Sequence, residues 1–456
     1  MRRKKSSAGL LVLALLVMIV LGLVYLYNSK MFERNLPRVD LESEIFSNLK
    51  RPLKVQISDD SGVKFIRATL SDGKNSILLV KKVILPAQKE LFVDIKFPRN
   101  GFVANKKIFE LSLEVVDASK WNFFSGNKVV KKAVIKVDTK KPELYSVNNS
   151  YKIIKGGVGA VVFKASDENL KELYIDTNFG KKFYPTPFYK DGYYISLLAW
   201  PRKEKKFKAT IVAIDKAGNI TKTKVRFYQK LKRYKKSVIN LKDRFLDGKI
   251  SELVEENGNE NEKNLDRLKK FKFVNETLRD KNEEIIEKYA SKVPTKMISQ
   301  FYLKPFYPLK NSAAVASFGD HRFYKYKGEL VSESYHLGLD LASVKHANIV
   351  SSNSGEVVYA KYNGIYGNNI IISHGLGVYS LYGHCSSMQV DENEMIKAKQ
   401  VIGKTGMTGL ALGDHLHFGM LVQGVEVRPE EWMDKNWMRD NIFDVIRSAK
   451  KIIDRK

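Results

Sequence analysis

Gly413-Asp414-His415-Leu416-His417-Phe418-Gly419-Met420 reads as a strand, and its alternation governs the reading of the C-terminal third of the chain. Strand side chains point to opposite faces in turn. His415 and His417 therefore share one face, while Leu416, Phe418 and Met420 share the other. Two imidazoles side by side invite a metal ion, although histidine pairs on strands also occur as plain polar surface. Upstream, His336-Leu337-Gly338-Leu339-Asp340 sets a histidine and a carboxylate four residues apart, again on one face if the segment is extended. Imidazole nitrogens with one carboxylate oxygen suit zinc, and three protein ligands leave its fourth position to water. Zinc lowers the pKa of such a water enough to make a nucleophile at neutral pH. No His-Glu-x-x-His occurs, so the general base of the helical zinc proteases is missing. The surplus histidines are then the candidates for proton transfer and for stabilising the transition state.

All seven histidines lie between residues 321 and 417 of a 456-residue chain. The window is written in short Gly-bounded strands: 356–360, 369–373, 378–382 and 415–420. Its ordered motifs are Ser317-Phe318-Gly319 with Arg322, His336-x-Gly338-x-Asp340, Gly355-Glu356-Val357-Val358 and Gly367-Asn368 leading to His374-Gly375-x-Gly377. Then come Tyr382-x-His384, Ile402-Gly403-x-x-Gly406-x-Thr408-Gly409 and Gly413-x-His415-Leu416-His417-Phe418. Over residues 317–429 this series resembles the catalytic domain of the lysostaphin/LytM-type zinc metallopeptidases, which cleave peptide cross-links in bacterial cell walls. The resemblance implies a zinc ion (Zn2+) held by His336, Asp340 and His417, with His384 and His415 as the catalytic pair. One of the pair takes a proton from water and the other stabilises the oxyanion, and the sequence leaves open which does which. One departure stands out: the family commonly has leucine after Tyr-x-His, and here stands Cys385. A cysteine next to a histidine suggests a thiol peptidase. In an extended segment the two side chains point apart, however, which sends Cys385 into the core. His374 is expected to be structural, His321 to line the groove rim, His346 to be exposed, and Asp414 to support a ligand from behind. Gly338 and Gly413 are expected to keep the groove open to a peptide backbone.

N-terminal to this domain, residues 45–230 read as strands separated by Asp, Asn, Gly and Pro clusters. Ser58-Asp59-Asp60-Ser61-Gly62 and Ser166-Asp167-Glu168-Asn169 open comparable units, and the pair Asp117 and Asp215 recurs later in each, so the period is roughly one small domain. The expectation is tandem immunoglobulin-like β-sandwiches at 45–140 and 141–230, serving as a stalk. Apolar residues at three- and four-residue spacing then predict a helical hairpin over 235–300, broken by the acidic, Asn-rich stretch 255–262. The peptidase domain follows at 301–433. Ile442, Ile446, Ala449 and Ile453 predict a closing helix over 434–456.

At the other end, residues 9–28 contain no charged residue, and about twenty residues of helix cross a bilayer core. Arg2, Arg3, Lys4 and Lys5 precede them with no acid to offset the charge, so residues 1–8 are expected in the cytoplasm and the rest outside. No small-x-small cleavage site ends the apolar stretch, which favours an anchor over a removed signal. This placement changes the meaning of the net charge of +29. A basic chain ordinarily suggests nucleic acid, but outside the membrane an anionic lipid or wall polymer is the nearer partner. With 44% hydrophobic and 28% charged residues the chain is an ordinary folded protein, and one cysteine excludes a disulfide framework.

The fold expected is thus a mainly β multidomain chain: a transmembrane helix, tandem β-sandwiches, a helical hairpin and an antiparallel β-sheet peptidase domain. The layout resembles membrane-anchored wall hydrolases of Gram-negative bacteria. It implies a single-pass inner-membrane protein with a periplasmic catalytic domain, acting on peptidoglycan as a D,D-endopeptidase. It also leaves room for a regulatory or divisome-type protein partner, and expects no nucleic acid. The alternative is a non-catalytic LytM-type scaffold that activates a cell-wall amidase. Such relatives have lost metal ligands, whereas this chain keeps all five residues named above.

Overall fold

The structure, a computed structural model, describes residues 8–98, 101–102 and 106–455. The basic residues Arg2 to Lys5 lie outside the described residues. The described chain is mainly β and divides into two compact units.

The first unit opens with a helix, α1 (Ala8–Asn28), apolar on every side and with none of its membrane-length window buried against protein. At 1.5 Å per residue it is about 31 Å long. Behind it six strands join into a single sheet: β1 (Arg38–Asp40), β2 (Glu44–Ser47), β3 (Leu53–Ser71), β4 (Ser76–Ile95), β5 (Ile108–Asp117) and β6 (Lys128–Val137). The order is β1-β3-β5-β6-β2, with β4 also against β3. The strands β3 and β4 run 19 and 20 residues, about twice the length the turn signals suggested. The register of β3 against β4 jumps between Ser58 and Val63, where the Asp-Asp-Ser-Gly signal was expected to open a unit. Asp59 instead folds this stretch onto itself, its Oδ1 accepting from the Ser61 and Gly62 amides, and the strand resumes beyond it.

The second unit carries residues 143–168, 172–213 and 221–456. Here the expectation of a stalk fails. Ile153, Val162, Leu198, Trp200 and Phe207 of the second β-module share one continuous core with Phe306, Phe418, Met420, Trp432 and Ile446. Ser150 donates to the Asn441 carbonyl, and the Val158 amide donates to Glu431. This module is a structural wall of the C-terminal domain, because apolar residues continue to its surface and a neighbour must cover them.

At the centre lies an antiparallel sheet in the order Ala313–Ala316, Leu339–Ala342, Leu416–Val422, Val378–Cys385, Asn368–Ser373, Gly355–Tyr362 and Met395–Ile396, with Val425–Val427 added against Leu416–Val422. Its faces alternate as the sequence predicts. Leu416, Phe418, Met420, Ile370 and Ile372 enter the core shared with the β-module. Leu421, Leu381 and Ile371 enter a second core, made with Leu246, Leu253, Val254, Phe271, Leu278 and Ile286 of the helical segment. The helices therefore cover the sheet face to which His417 belongs.

One detail of that segment differs from the expectation. Residues Lys236–Asn240 form a strand parallel to His321–Tyr326. The Asn-rich stretch breaks the helices as expected: Ser251–Asn257 ends at Gly258, and Asn259 with Glu262 then forms a capping box that starts a further turn, Glu260–Lys263. The helix Asp444–Asp454 closes the chain, burying Ile446, Ala449 and Ile453 as their spacing predicts.

Ile446→Ala removes a side chain from the shared core and is expected to cost about 2–4 kcal/mol. Arg447→Ala, one residue on, breaks only an exposed pair with Asp444 and is expected to cost about 0–0.5 kcal/mol. Thermal unfolding of the two variants checks the contrast; equal melting temperatures would contradict the shared core.

Candidate metal centre

The site is assembled by strand register. Asp340 on Leu339–Ala342 pairs directly with His417 on Leu416–Val422, and Gly383 pairs with His417 from the other side. Facing residues in adjacent antiparallel strands bring their side chains within a few ångströms of each other. His336 stands just past the strand Glu329–Tyr335, its amide bound to the Asp320 carbonyl. These three residues are buried, and their ligand atoms converge. His336 Nε2 lies 2.9 Å from Asp340 Oδ1, His417 Nδ1 lies 2.9 Å from the same oxygen, and the two nitrogens are 3.2 Å apart.

That triangle fits zinc. Donors about 2.0–2.1 Å from a tetrahedral ion stand roughly 3.3 Å from one another. His336 Nδ1 lies 3.0 Å from the Ser317 carbonyl oxygen, the arrangement in which Nδ1–H donates and Nε2 offers its lone pair to the centre. Three atoms placed in this way could share a cation. Burial alone would raise the Asp340 carboxyl, but hydrogen bonds and charge from His336 and His417 draw it well below the usual carboxylate range. Burial holds His417 down to about 4, with Asp340 working the other way, so its imidazole is neutral and available as a ligand. His336, Asp340 and His417 are the residues that would hold zinc.

Two further imidazoles flank this triad. His384 ends the strand Val378–Cys385 in a left-handed conformation with φ of 62°, which turns its ring toward the ligands. Its ring centroid is 4.8 Å from that of His415 and 5.8 Å from that of His417. His384 Nδ1 lies 2.8 Å from the Thr408 carbonyl oxygen, and His415 Nδ1 lies 2.7 Å from that of Gly413. Each carbonyl fixes its ring with Nε2 as the free atom. Burial first, then the neighbouring His417 and His415, holds His384 down to about 3, so it is neutral and able to accept a proton. His415 Nε2 is 3.8 Å from Asp340 Oδ1.

The pocket over these groups has a volume of about 420 Å3. Arg322 overlooks it, its Nη2 3.9 Å from Asp340 Oδ2. Three contributors escaped the sequence reading. Tyr366 packs edge-on against the His417 ring at 5.5 Å. Asn282 of the helical segment accepts from the Ile365 amide and its carbonyl accepts from Asn363, fixing the turn that carries Tyr366. Arg279, one turn earlier on the same helical run, reaches the pocket itself while Asn275 receives two of its hydrogen bonds. No motif announces these residues, since each acts across a tertiary contact.

The remaining candidates sort as follows. His374 is buried, with its ring nitrogens against the Ser354 carbonyl and the Ser380 hydroxyl. His321 pairs with Glu333 and stacks on Tyr335, and is not among the residues that line the pocket. His346 is half exposed. Asp414 receives the Thr405 hydroxyl and the His346 amide, so it braces the loop rather than a ligand ring. Cys385 is fully buried, and burial pushes its thiol up to about 12, which leaves it inert. Gly338 has a different reason from the one expected: a Cβ there would stand 2.4 Å from His417 Nε2, so the glycine makes room for a ligand ring. A Cβ added at Gly413 would meet nothing within 4 Å.

Gly338→Ala is accordingly expected to displace His417 and weaken zinc binding roughly tenfold or more. Gly413→Ala should leave zinc affinity unchanged. Competition titration with a chromogenic chelator reads both, and equal affinities would sink the steric argument.

Residues 334–429 match the model of peptidase family M23. Among curated relatives, the DD-carboxypeptidase/endopeptidase Mpg of Neisseria meningitidis is 34% identical over 94 residues, covering 21% of this chain and 22% of the relative. The murein hydrolase activator NlpD of Escherichia coli is 38% identical over 104 residues, covering 22% of this chain and 27% of the relative. The chain thus spans only about a quarter of the length of the curated relatives it matches. Among solved structures, the catalytic domain of lysostaphin from Staphylococcus simulans aligns at 26% identity and a TM-score of 0.23, covering 27% of this chain and 92% of that one. The segment that brings His336, Asp340, His384, His415 and His417 together is therefore the part of the chain, residues 334–429, that matches the model of peptidase family M23.

Proposed function

We propose that this protein is a zinc-dependent endopeptidase that hydrolyses peptide cross-links of bacterial peptidoglycan, at a D,D-bond. The observation that carries the reading is the buried His336–Asp340–His417 triangle, 2.9–3.2 Å on a side, with two further imidazoles, His384 and His415, beside it. A zinc ion bound there supplies Lewis acidity, which polarises a carbonyl and acidifies water. The chain's own groups do the rest. Asp340 contributes the one negative charge, and the Ser317 carbonyl orients His336. His384 and His415, each held through Nδ1, present Nε2 to the reacting centre. A neutral imidazole accepts the proton of the attacking water, and an imidazolium donates to the oxyanion and then to the departing amine. Tyr366 holds the His417 ring in place and narrows access for bulk water.

The wider reading assigns α1 to the inner membrane as a single-pass anchor, with residues 1–8 cytoplasmic and the domain at 301–433 periplasmic. Its length and wholly apolar surface support this. Residues 45–140 and 141–230 are read as immunoglobulin-like modules, and 235–300 as a helical element that also shapes the groove. The similarity to NlpD favours a second reading, a scaffold that activates an amidase. Against it stands the retention of the complete ligand set and the catalytic pair.

Purified full-length protein in detergent is expected to carry one zinc per chain and to release soluble fragments from isolated sacculi. His417→Ala should lose both metal and activity. His384→Ala and His415→Ala should keep zinc and lose activity about a hundredfold or more. Metal-free, inert protein that stimulates an amidase would overturn the proposal. A thiol mechanism makes the opposite forecast to ours, in which chelators abolish activity and alkylating agents leave it intact.

A further inference from the structure

The loop between β5 and β6 presents aromatic side chains beside the exit of α1. Phe123 is 99% exposed and Phe124 69%, next to Trp121. Water does not favour this display, and the backbone is not relaxed: Asn122, Phe123 and Phe124 all sit at positive φ, between 53° and 68°. Bulky residues in that region are held there by their surroundings. The surroundings are visible. Buried Asp117 accepts from the Ser119 and Asn127 amides and from the Asn127 side chain, closing the loop at its base.

The same loop is tied to the segment that leaves the helix. The Lys120 amide donates to the Met31 carbonyl at 2.7 Å, and the Ser119 hydroxyl and Asn127 side-chain amide both donate to the Glu33 carbonyl. The Phe32 and Phe124 rings meet edge-on at 6.3 Å. The Arg34 guanidinium lies over Tyr27, in the last turn of α1, at 3.7 Å and over Trp121 at 4.4 Å. Between Asn28 and Met31 the chain makes a hydrogen-bonded turn instead of a free linker, with the Ser29 carbonyl accepting from Phe32. Three residues span at most about 11 Å. A helix of about 31 Å just crosses a hydrocarbon core of about 30 Å, so the boundary of that core falls close to Tyr27 and Asn28. The loop therefore sits at the depth of the lipid headgroups.

From this placement we propose that residues 118–127 form a second membrane contact, inserting Phe123 and Phe124, with Trp121 above them, into the interfacial layer of the bilayer that α1 crosses. The occupant is the lipid surface on the side where Asn28 emerges. Lys30, Arg34 and Lys120 flank the aromatic tip and face its phosphates, the pairing of aromatic and basic groups that interfaces favour. Two contacts, one spanning and one interfacial, fix the tilt of the first β-module and stop it swivelling about its anchor. The inference rests on reading α1 as a membrane span.

The test uses the full chain in phosphatidylethanolamine–phosphatidylglycerol vesicles carrying nitroxide lipids, either shallow or deep. An environment-sensitive dye is attached in turn to Phe123→Cys, Lys74→Cys and Val17→Cys, with buried Cys385 left unlabelled. Lys74 serves as control, since the β3–β5 register from Val63–Asp117 to Ser71–Glu110 puts its turn at the far end of the sheet, roughly 26 Å away. Shallow nitroxides should quench the dye at 123 several-fold more than the dye at 74, and deep nitroxides should quench the dye at 17. Equal quenching at 123 and 74, with 17 quenched, overturns the inference alone. An unquenched dye at 17 overturns the anchor as well. Because a dye can itself seek lipid, anisotropy decay at Lys74→Cys is also compared between the native loop and the Phe123→Ser, Phe124→Ser pair. Faster, wider motion in the serine variant supports the contact, and identical decays refute it.

Discussion

The convergence of three ligand atoms depends on one register: Asp340 directly opposite His417 across a pair of antiparallel strands. Because the side-chain period in a strand is two, a slip of one residue would send both groups through to the apolar face. That face is filled by Leu416, Phe418 and Met420, which share a core with the second β-module. The packing behind the sheet therefore polices the chemistry in front of it. The burial of this module against the sheet is a condition for the candidate metal centre.

In front of the sheet the helical segment has the matching role. It buries Leu421, Leu381 and Ile371 on the ligand-bearing face, and it brings Asn282 and Arg279 to the edge of the groove. Asn282 holds the turn of Tyr366, and Tyr366 holds His417. A polar side chain buried in a helix is thus coupled to a ligand ring through two contacts. The same element that covers apolar surface also narrows the groove, so stability and access are set together.

Much of the site was legible because its residues act in patterns of short range. His-x-His reads as one face of a strand, His-x-x-x-Asp as another, and the two segments match neighbouring strands of one sheet. The strands at 355–362, 368–373 and 378–385 lie within two or three residues of the runs seen in the sequence. The failures share a different cause. Cys385 is buried as expected, yet His384 is left-handed and the argument from a regular strand did not apply. The stretch 255–262 does break the helices, at Gly258, but its pattern did not show that Asn259 and Glu262 would also cap a new turn. Lys236–Asn240 fell within the span read as helical and becomes a strand, paired with the edge that His321–Tyr326 offers.

Local pattern determined which residues could be ligands, which helix is apolar on every side, and which faces of the strands are oily, since each depends only on neighbours a few positions away. Tertiary structure decided that the β-module at 143–230 is a wall rather than a spacer, that Gly338 serves the His417 ring, and that an aromatic loop is bonded beside the end of α1. Those outcomes hang on contacts between residues some eighty to three hundred positions apart. No periodicity encodes such a distance; only the closing of the fold brings the partners together.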